Sequence, residues 1–367
     1  MAARPKLMTP GPVEVPERVL RASASGLVSH RSGEFRLLLR EVSEGLASLA
    51  GAEEALVLPG SGTTAVDAMV WSLARPGGRA LVVSHGEFGR RLARTLEARG
   101  AAVRLVEPPR PGEPVDPGLV EEELSRRDYS VVGLVHTETS MGLTYRGLER
   151  VAEAAASSGA RVLVDAVSAF PLEPLDLGSA PVDAVATCSH KALASPPGAA
   201  IVLLGRGGAR ALSGQDRLPG VPPSLDLALH LRFRRLRGET PFTPPITILY
   251  ALRESLRVIG EEGLAAWRRR HRRLVEKLYS TLETGSRGAL RRVPRRGYES
   301  SALAALWTAV PSQALLDAAL RAGYRIAPGM GEYRGSMVRV GVMGDVAEGD
   351  VEALAGALLA AVDSHAS

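Results

Sequence analysis

The sequence predicts an α/β protein: a large domain on a mostly parallel sheet flanked by helices, then a small C-terminal α+β domain. Three observations predict it. Between about residues 34 and 204, strand-like and helix-like segments alternate, and strands separated by helices of ten or more residues pair in parallel. The strand-like segments are apolar, as strands covered on both faces are. After Gly205 the rhythm stops, and glycine, proline and arginine punctuate residues 205–245.

Each element follows in order. "EFRLLLREVSEGLASLAG" (34–51) is an amphipathic helix closed by a glycine. "EALVLPG" is a strand, "TTAVDAMVWSLA" a helix, "RALVVSH" a strand and "GRRLARTLEARG" a helix. Strand "AVRLVE", helix "PGLVEEELSRR", strand "VVGLVHTE", helix "LERVAEAAASSG" and strand "RVLVDAV" continue the pattern, which ends in strands "DAVATCS" and "AAIVLL". One long helix is expected over about 246–284. Strand "SALAALWTA", helix "SQALLDAALRAG", strand "SMVRVGVM" and helix "EGDVEALAGALLAAVDSH" complete a compact α+β unit. The expected division is an N-terminal arm (1–20) that helps form the substrate pocket, a large domain (21–260) and a small domain (261–367).

Composition narrows the function classes. Apolar residues make up 45% of the 367, enough for a substantial core. The net charge of +5 comes from 42 arginines and only three lysines, scattered among 40 acidic residues. The densest basic run, "WRRRHRRLVEKL" (267–278), has apolar residues at helical spacing and reads as a solvated helix face. With aromatics at 4%, base-stacking platforms are scarce, and no nucleic-acid partner is expected. No apolar stretch approaches the roughly 18–20 residues of a membrane span. Cys188 is the only cysteine and reads as a small buried apolar residue, so a reducing, cytoplasmic location is expected. No metal site is predicted. Asparagine is absent and glutamine occurs only at 215 and 313, which suits a thermophile, although arginine in place of lysine equally follows from genomic base composition.

In open α/β sheets, ligands bind beyond the carboxyl ends of the strands. After "EALVLP" comes "GSGTTAV", two glycines and three hydroxyl residues before a helix. Backbone N–H groups and a helix N-terminus make that a phosphate cradle, one without the lysine of a nucleotide-triphosphate loop. The other endings bring Phe88, Thr139 with Ser140, Asp165 and Lys191 to the same edge. Lys6 lies in an expected tail and Lys277 on a charged helix, leaving Lys191 as the lone lysine at this edge. A phosphate cradle, an aromatic, an acid and a lysine together describe a site for pyridoxal phosphate. The cofactor's aldehyde needs an amine, its ring nitrogen an acid that keeps it protonated, its face an aromatic.

The stretches "LMTPGPVEVPERVL", "SHRSGEF", "PGSGTTAVDAM", "HTETSMG", "LVDAVSAF", "CSHKALASPPGAA", "FTPPITILYALRESL" and "VRVGVMG" resemble the class V aminotransferases of fold type I, most of all the alanine–glyoxylate and serine–pyruvate branch. The resemblance runs in order along almost the whole chain. It implies Lys191 as the Schiff-base lysine, Asp165 as partner of the pyridine nitrogen and Phe88 stacked on the ring, where relatives often have tryptophan. It implies Thr139 on the phenolic oxygen, and Ser61, Gly62 and Thr63 on the phosphate. His190 stands where relatives commonly have a glutamine that reaches the phosphate. Thr243 matches a residue contributed by a neighbouring subunit; the tyrosine usual shortly before it is missing, with Thr240 near that place. Arg339 would grip the substrate carboxylate, and Gly11 would line the pocket with backbone atoms. Shared sites imply a two-fold homodimer.

The expected reaction moves an amino group from a small L-amino acid, alanine or serine, to glyoxylate or pyruvate in ping-pong fashion. An aminoethylphosphonate–pyruvate aminotransferase is the alternative, separated by whether Arg339 binds carboxylate or phosphonate. His30 and Arg31 either line the active site, across the dimer, or serve their own loop; both readings stand on sequence.

Overall fold

The computed structural model describes residues 4–366. In chain order its first part comprises β1 (Lys6–Leu7), α1 (Glu17–Ala22), α2 (Gly33–Ala50), β2 (Glu54–Gly60), α3 (Gly62–Leu73), β3 (Arg79–Val83), α4 (Glu87–Ala98) and β4 (Ala102–Val106). Next come α5 (Pro117–Arg126), β5 (Val131–Val135), the short pair β6 (Thr137–Glu138) and β7 (Leu143–Thr144), α6 (Leu148–Ser157), β8 (Arg161–Asp165), β9 (Ala184–Cys188) and β10 (Gly198–Leu204).

Seven strands form the main sheet in the order β2-β10-β9-β8-β5-β3-β4. β10 is antiparallel to both neighbours, so β2 points the same way as β9, and six strands share one direction. Side chains alternate across a pleated strand, and both faces here are dry. Ala55 and Val57 of β2, Leu81 and Val83 of β3, and Val162 and Val164 of β8 enter one core with α2, α6 and the helix beginning at Ile246. Leu56 and Leu58, Ala80 and Val82, and Leu163 enter the other, with α3 and α4. That is why these strands read as apolar throughout. Pro59 is tolerated because β2 is an edge strand, pairing with β10 alone.

The remainder holds α7 (Arg206–Leu212), α8 (Leu227–Arg237), α9 (Ile246–Glu262), α10 (Leu264–Gly285), β11 (Leu290–Arg292), β12 (Leu303–Thr308), α11 (Ser312–Arg321), β13 (Tyr324–Arg325), β14 (Ala327–Pro328), β15 (Met337–Gly341) and α12 (Glu348–Ala366). A four-stranded sheet, β11-β12-β15-β14, packs with α10, α11 and α12 around a third core.

Three expectations need correction, and one stretch left unassigned gains elements. The long helix is two, α9 and α10, broken at Gly263, whose φ of +83° a helix cannot accommodate. The punctuated stretch 205–245, given no element on sequence, contains α7 and α8; Asp226 caps the latter by accepting the N–H groups of Ala228 and Leu229. The strand "VVGLVHTE" stops at Val135, and Thr137–Glu138 instead pairs with Leu143–Thr144. Lys6 is not in a free tail: β1 pairs in parallel with β13, and the Lys6 Nζ lies 2.6 Å from Asp350. This pairing threads residues 8–12 between the two parts of the molecule, toward Lys191.

Candidate active site

The pleat decides what the strand ends present. In β8, Val162 and Val164 face the α2 side, so Leu163 and Asp165 face the α3/α4 side. The N-termini of α3 and α4, with Ser61–Thr63 and Phe88, lie on that same side. β9 and β10 are antiparallel neighbours, so the chain must reverse between them, and Lys191 rides on that reversal. The turn is pinned: the Ser189 hydroxyl donates to the Pro196 carbonyl at 2.7 Å, and the Ala194 N–H to the Lys191 carbonyl at 2.8 Å.

A cavity of about 190 Å³ results, lined by Gly11, Ser61, Gly62, Thr63, Phe88, Thr139, Asp165, His190 and Lys191 of the sequence-predicted set. Lys191 is half-buried, and its Nζ donates to the Pro10 carbonyl. Burial, with Arg339 and Arg91 adding to it, pushes its ammonium down to about 8. Asp165 is 3% exposed; its Oδ1 accepts the Val167 N–H at 3.0 Å, while Oδ2 lies 3.6 Å from Arg91 Nη2. Burial raises its carboxyl above the usual range, and the Val167 N–H, Arg91 and Lys191 oppose that. The close packing of α3 on the strand ends needs Gly62, where a Cβ would stand 2.6 Å from Val167 Cγ1.

Arg339 does not line the cavity itself. Its Nε donates to the Pro328 carbonyl at 2.9 Å and its Nη1 to the carbonyl of Thr139, a lining residue, at 3.3 Å. His190 is pushed down to about 4 by burial and then by Lys191, so its imidazole is neutral at physiological pH. Cys188 is fully buried with its thiol pushed up to about 11 by burial, the opposite of a reactive thiolate.

Thr243 is exposed and does not reach the cavity of its own chain. Thr240 is buried, and its hydroxyl donates to the Phe242 carbonyl at 2.7 Å. Arg31 donates to Glu239 and to the carbonyls of Thr240 and Pro241, and Arg36 also pairs with Glu239. Within this chain Arg31 therefore anchors the 239–243 loop, and neither it nor His30 lines the cavity.

Two functional candidates escaped the sequence reading. Arg91 lines the cavity, one helical turn beyond Phe88, a spacing that puts both on one face. Glu138, fully buried, accepts the backbone N–H groups of Phe88, Gly89 and Ser140 and the Ser140 hydroxyl. It thereby caps α4 and fixes where Phe88 sits. A carboxylate directly before Thr139 in an apolar segment was the only signal.

The residues fit pyridoxal phosphate. A half-buried lysine shares the cavity with a buried carboxylate, an aromatic stands beside a helix N-terminus, and His190 Nδ1 and Arg91 Nε are buried without a partner, which a polar ligand would satisfy. Sheet order and site together define a pyridoxal-phosphate enzyme of fold type I. The chain belongs to the class V aminotransferases, whose family model matches residues 17–354. A crystal structure of an alanine–glyoxylate aminotransferase from Nostoc sp. superposes with a TM-score of 0.91 at 29% identity, covering 99% of this chain and 96% of that one. A serine–glyoxylate aminotransferase of Methylorubrum extorquens is 27% identical over 98% of this chain and 92% of its own length. A 2-aminoethylphosphonate–pyruvate transaminase of Paraburkholderia xenovorans is 34% identical over 71% and 69%. None of the helices among the described residues is long and apolar enough to cross a membrane.

Proposed function

We propose that the chain transfers an amino group from alanine or serine to glyoxylate or pyruvate, with Lys191 as the group that carries the proton. The observation that carries this reading is the half-buried Lys191, whose ammonium is pushed down to about 8, lining the same cavity as buried Asp165. Pyridoxal phosphate, when bound, supplies the aldehyde and the electron sink. The residues do the rest. Ser61, Gly62 and Thr63 hold the phosphate at the N-terminus of α3, and neutral His190 offers it one N–H. Phe88 fixes the plane of the ring, Thr139 meets its phenolic oxygen, and Asp165 keeps its nitrogen protonated. Arg339, held by Nε on the Pro328 carbonyl and by Nη1 on the carbonyl of cavity-lining Thr139, would turn its remaining donors toward the carboxylate of a bound substrate. Lys191 Nζ, as a free amine, would take the proton from the substrate's α-carbon as base and then give it up to the cofactor as acid.

Thr243 serves the phosphate of a second copy in this reading, so the active unit is a homodimer. The single, buried Cys188 suits a reducing, cytoplasmic setting. The reading is tested by the visible spectrum of the holoenzyme with L-alanine or L-serine, then with glyoxylate or pyruvate. Bleaching and recovery support it; indifference to both donors refutes the substrate assignment. Lys191→Ala is expected to abolish turnover, and near-normal turnover would overturn the role of Lys191. Aminoethylphosphonate is the second donor to test, because a 34% identical relative bears that substrate's name.

A further inference from the structure

One cation touches three of the residues that this reading assigns to the cofactor, Phe88, Asp165 and Thr63. Arg91 leaves α4 one turn after Phe88, and its guanidinium carbon lies 4.6 Å from the Phe88 ring centroid. Its Nη2 is 3.6 Å from Asp165 Oδ2, and its Nη1 donates to the Thr63 hydroxyl at 3.2 Å. Asp67, one turn beyond Thr63 on α3, faces it as well. α3, α4 and β8 thus meet at a single side chain: the phosphate cradle through Thr63, the stacking face through Phe88, the acid through Asp165.

We infer that Arg91 is a positioning residue for the cofactor, holding Asp165 and Phe88 in register with the phosphate cradle through one guanidinium. The inference rests on the assignment of the ring to Phe88 and Asp165. Its physical basis is that a carboxylate taken out of water needs a partner to stay ionised. Only an ionised Asp165 attracts a protonated ring nitrogen. A planar, forked cation can stack on an aromatic and reach two oxygens at once; an ammonium cannot. Arg91 touches no reacting atom in the mechanism above, so its effect is read in cofactor binding rather than in chemistry.

The test is the apparent affinity of the full-length protein for pyridoxal phosphate, followed by its visible absorbance. Arg91→Ala and the neutral, polar Arg91→Gln are expected to weaken binding roughly tenfold, as loss of a charge-assisted contact to a buried carboxylate would, and to shift the band. Arg91→Lys restores the charge without the fork and is expected to recover only part. In an Asp165→Asn background, Arg91→Gln should cost much less, because its partner is already neutral. Thermal melts of each variant show whether it is folded, and the Gln variant keeps the test open should the Ala variant fail. Wild-type or tighter binding by Arg91→Gln, or the same penalty with and without Asp165, overturns the inference. Unchanged binding in Phe88→Ala and Asp165→Asn would instead sink the ring assignment, and the inference with it.

Discussion

Replacing Gly11 by alanine probes the closest approach in the site. Gly11 has φ of +135°, a region that L side chains rarely adopt, and a Cβ there would meet Lys191 Cε and Nζ at 2.5 Å and Cδ at 2.7 Å. Ordinary carbon–carbon contact is about 3.5–4.0 Å, so one side must yield by roughly 1 Å. The backbone of residues 8–12 is held by the β1–β13 pairing, by the N–H of Met8 on the Arg325 carbonyl and by that of Gly341 on the Met8 carbonyl. Lys191 is the flexible partner, so its amine moves. A displacement near 1 Å at a reacting group costs on the order of a hundredfold in rate. The positive φ adds about 1–3 kcal/mol of strain, seen as a fall of a few degrees in Tm. Single-turnover bleaching by L-alanine, measured beside the melting curve, separates the two. Gly26→Ala is the control: φ is +92° there and nothing lies within 4 Å, so it should lose stability and keep its rate. If Gly11→Ala reacts at the wild-type rate, the steric argument and the coupling of the arm to Lys191 are both wrong.

Three further outcomes are expected. With the Lys191 ammonium held down to about 8 chiefly by burial, the amine is the form favoured above that pH. Its reaction with pyridoxal phosphate in the cofactor-stripped protein should accelerate through pH 8 in stopped-flow absorbance, and a midpoint near the ordinary lysine value, about 10.4, would refute this. Glu138→Gln turns an acceptor of four donors into a group with only one acceptor oxygen; a loss of roughly 1–3 kcal/mol in denaturant unfolding, with weaker cofactor retention, is expected. Because His190 is already neutral, pushed down to about 4, cofactor affinity should show no histidine step between about pH 6 and 8. Such a step, abolished in His190→Gln, would show that the imidazole titrates on the phosphate.

Much of the fold and site was legible in local pattern. Apolar runs such as "RALVV" declared strands buried on both faces, and the residues just after them, Phe88, Asp165 and Lys191, could be placed at one edge because parallel strands share a carboxyl end. What misled was local as well. Across 246–284 the helical periodicity continues through Gly263, and only the backbone there shows the break. Lys6 looked like tail because its partners, Tyr324 and Asp350, lie more than three hundred residues away.

By itself the sequence determined the kinds of residue available at the sheet edge, since strand direction and the pleat's two-residue period are properties of a short segment. Only the tertiary structure decided which groups share a cavity and in what charge state. Arg91 on the face of Phe88, Glu138 under the start of α4, Gly11 against Lys191 and the lowered Lys191 ammonium all arise from contacts between distant segments. Burial and approach belong to the packed chain as a whole, and no local window of sequence contains them.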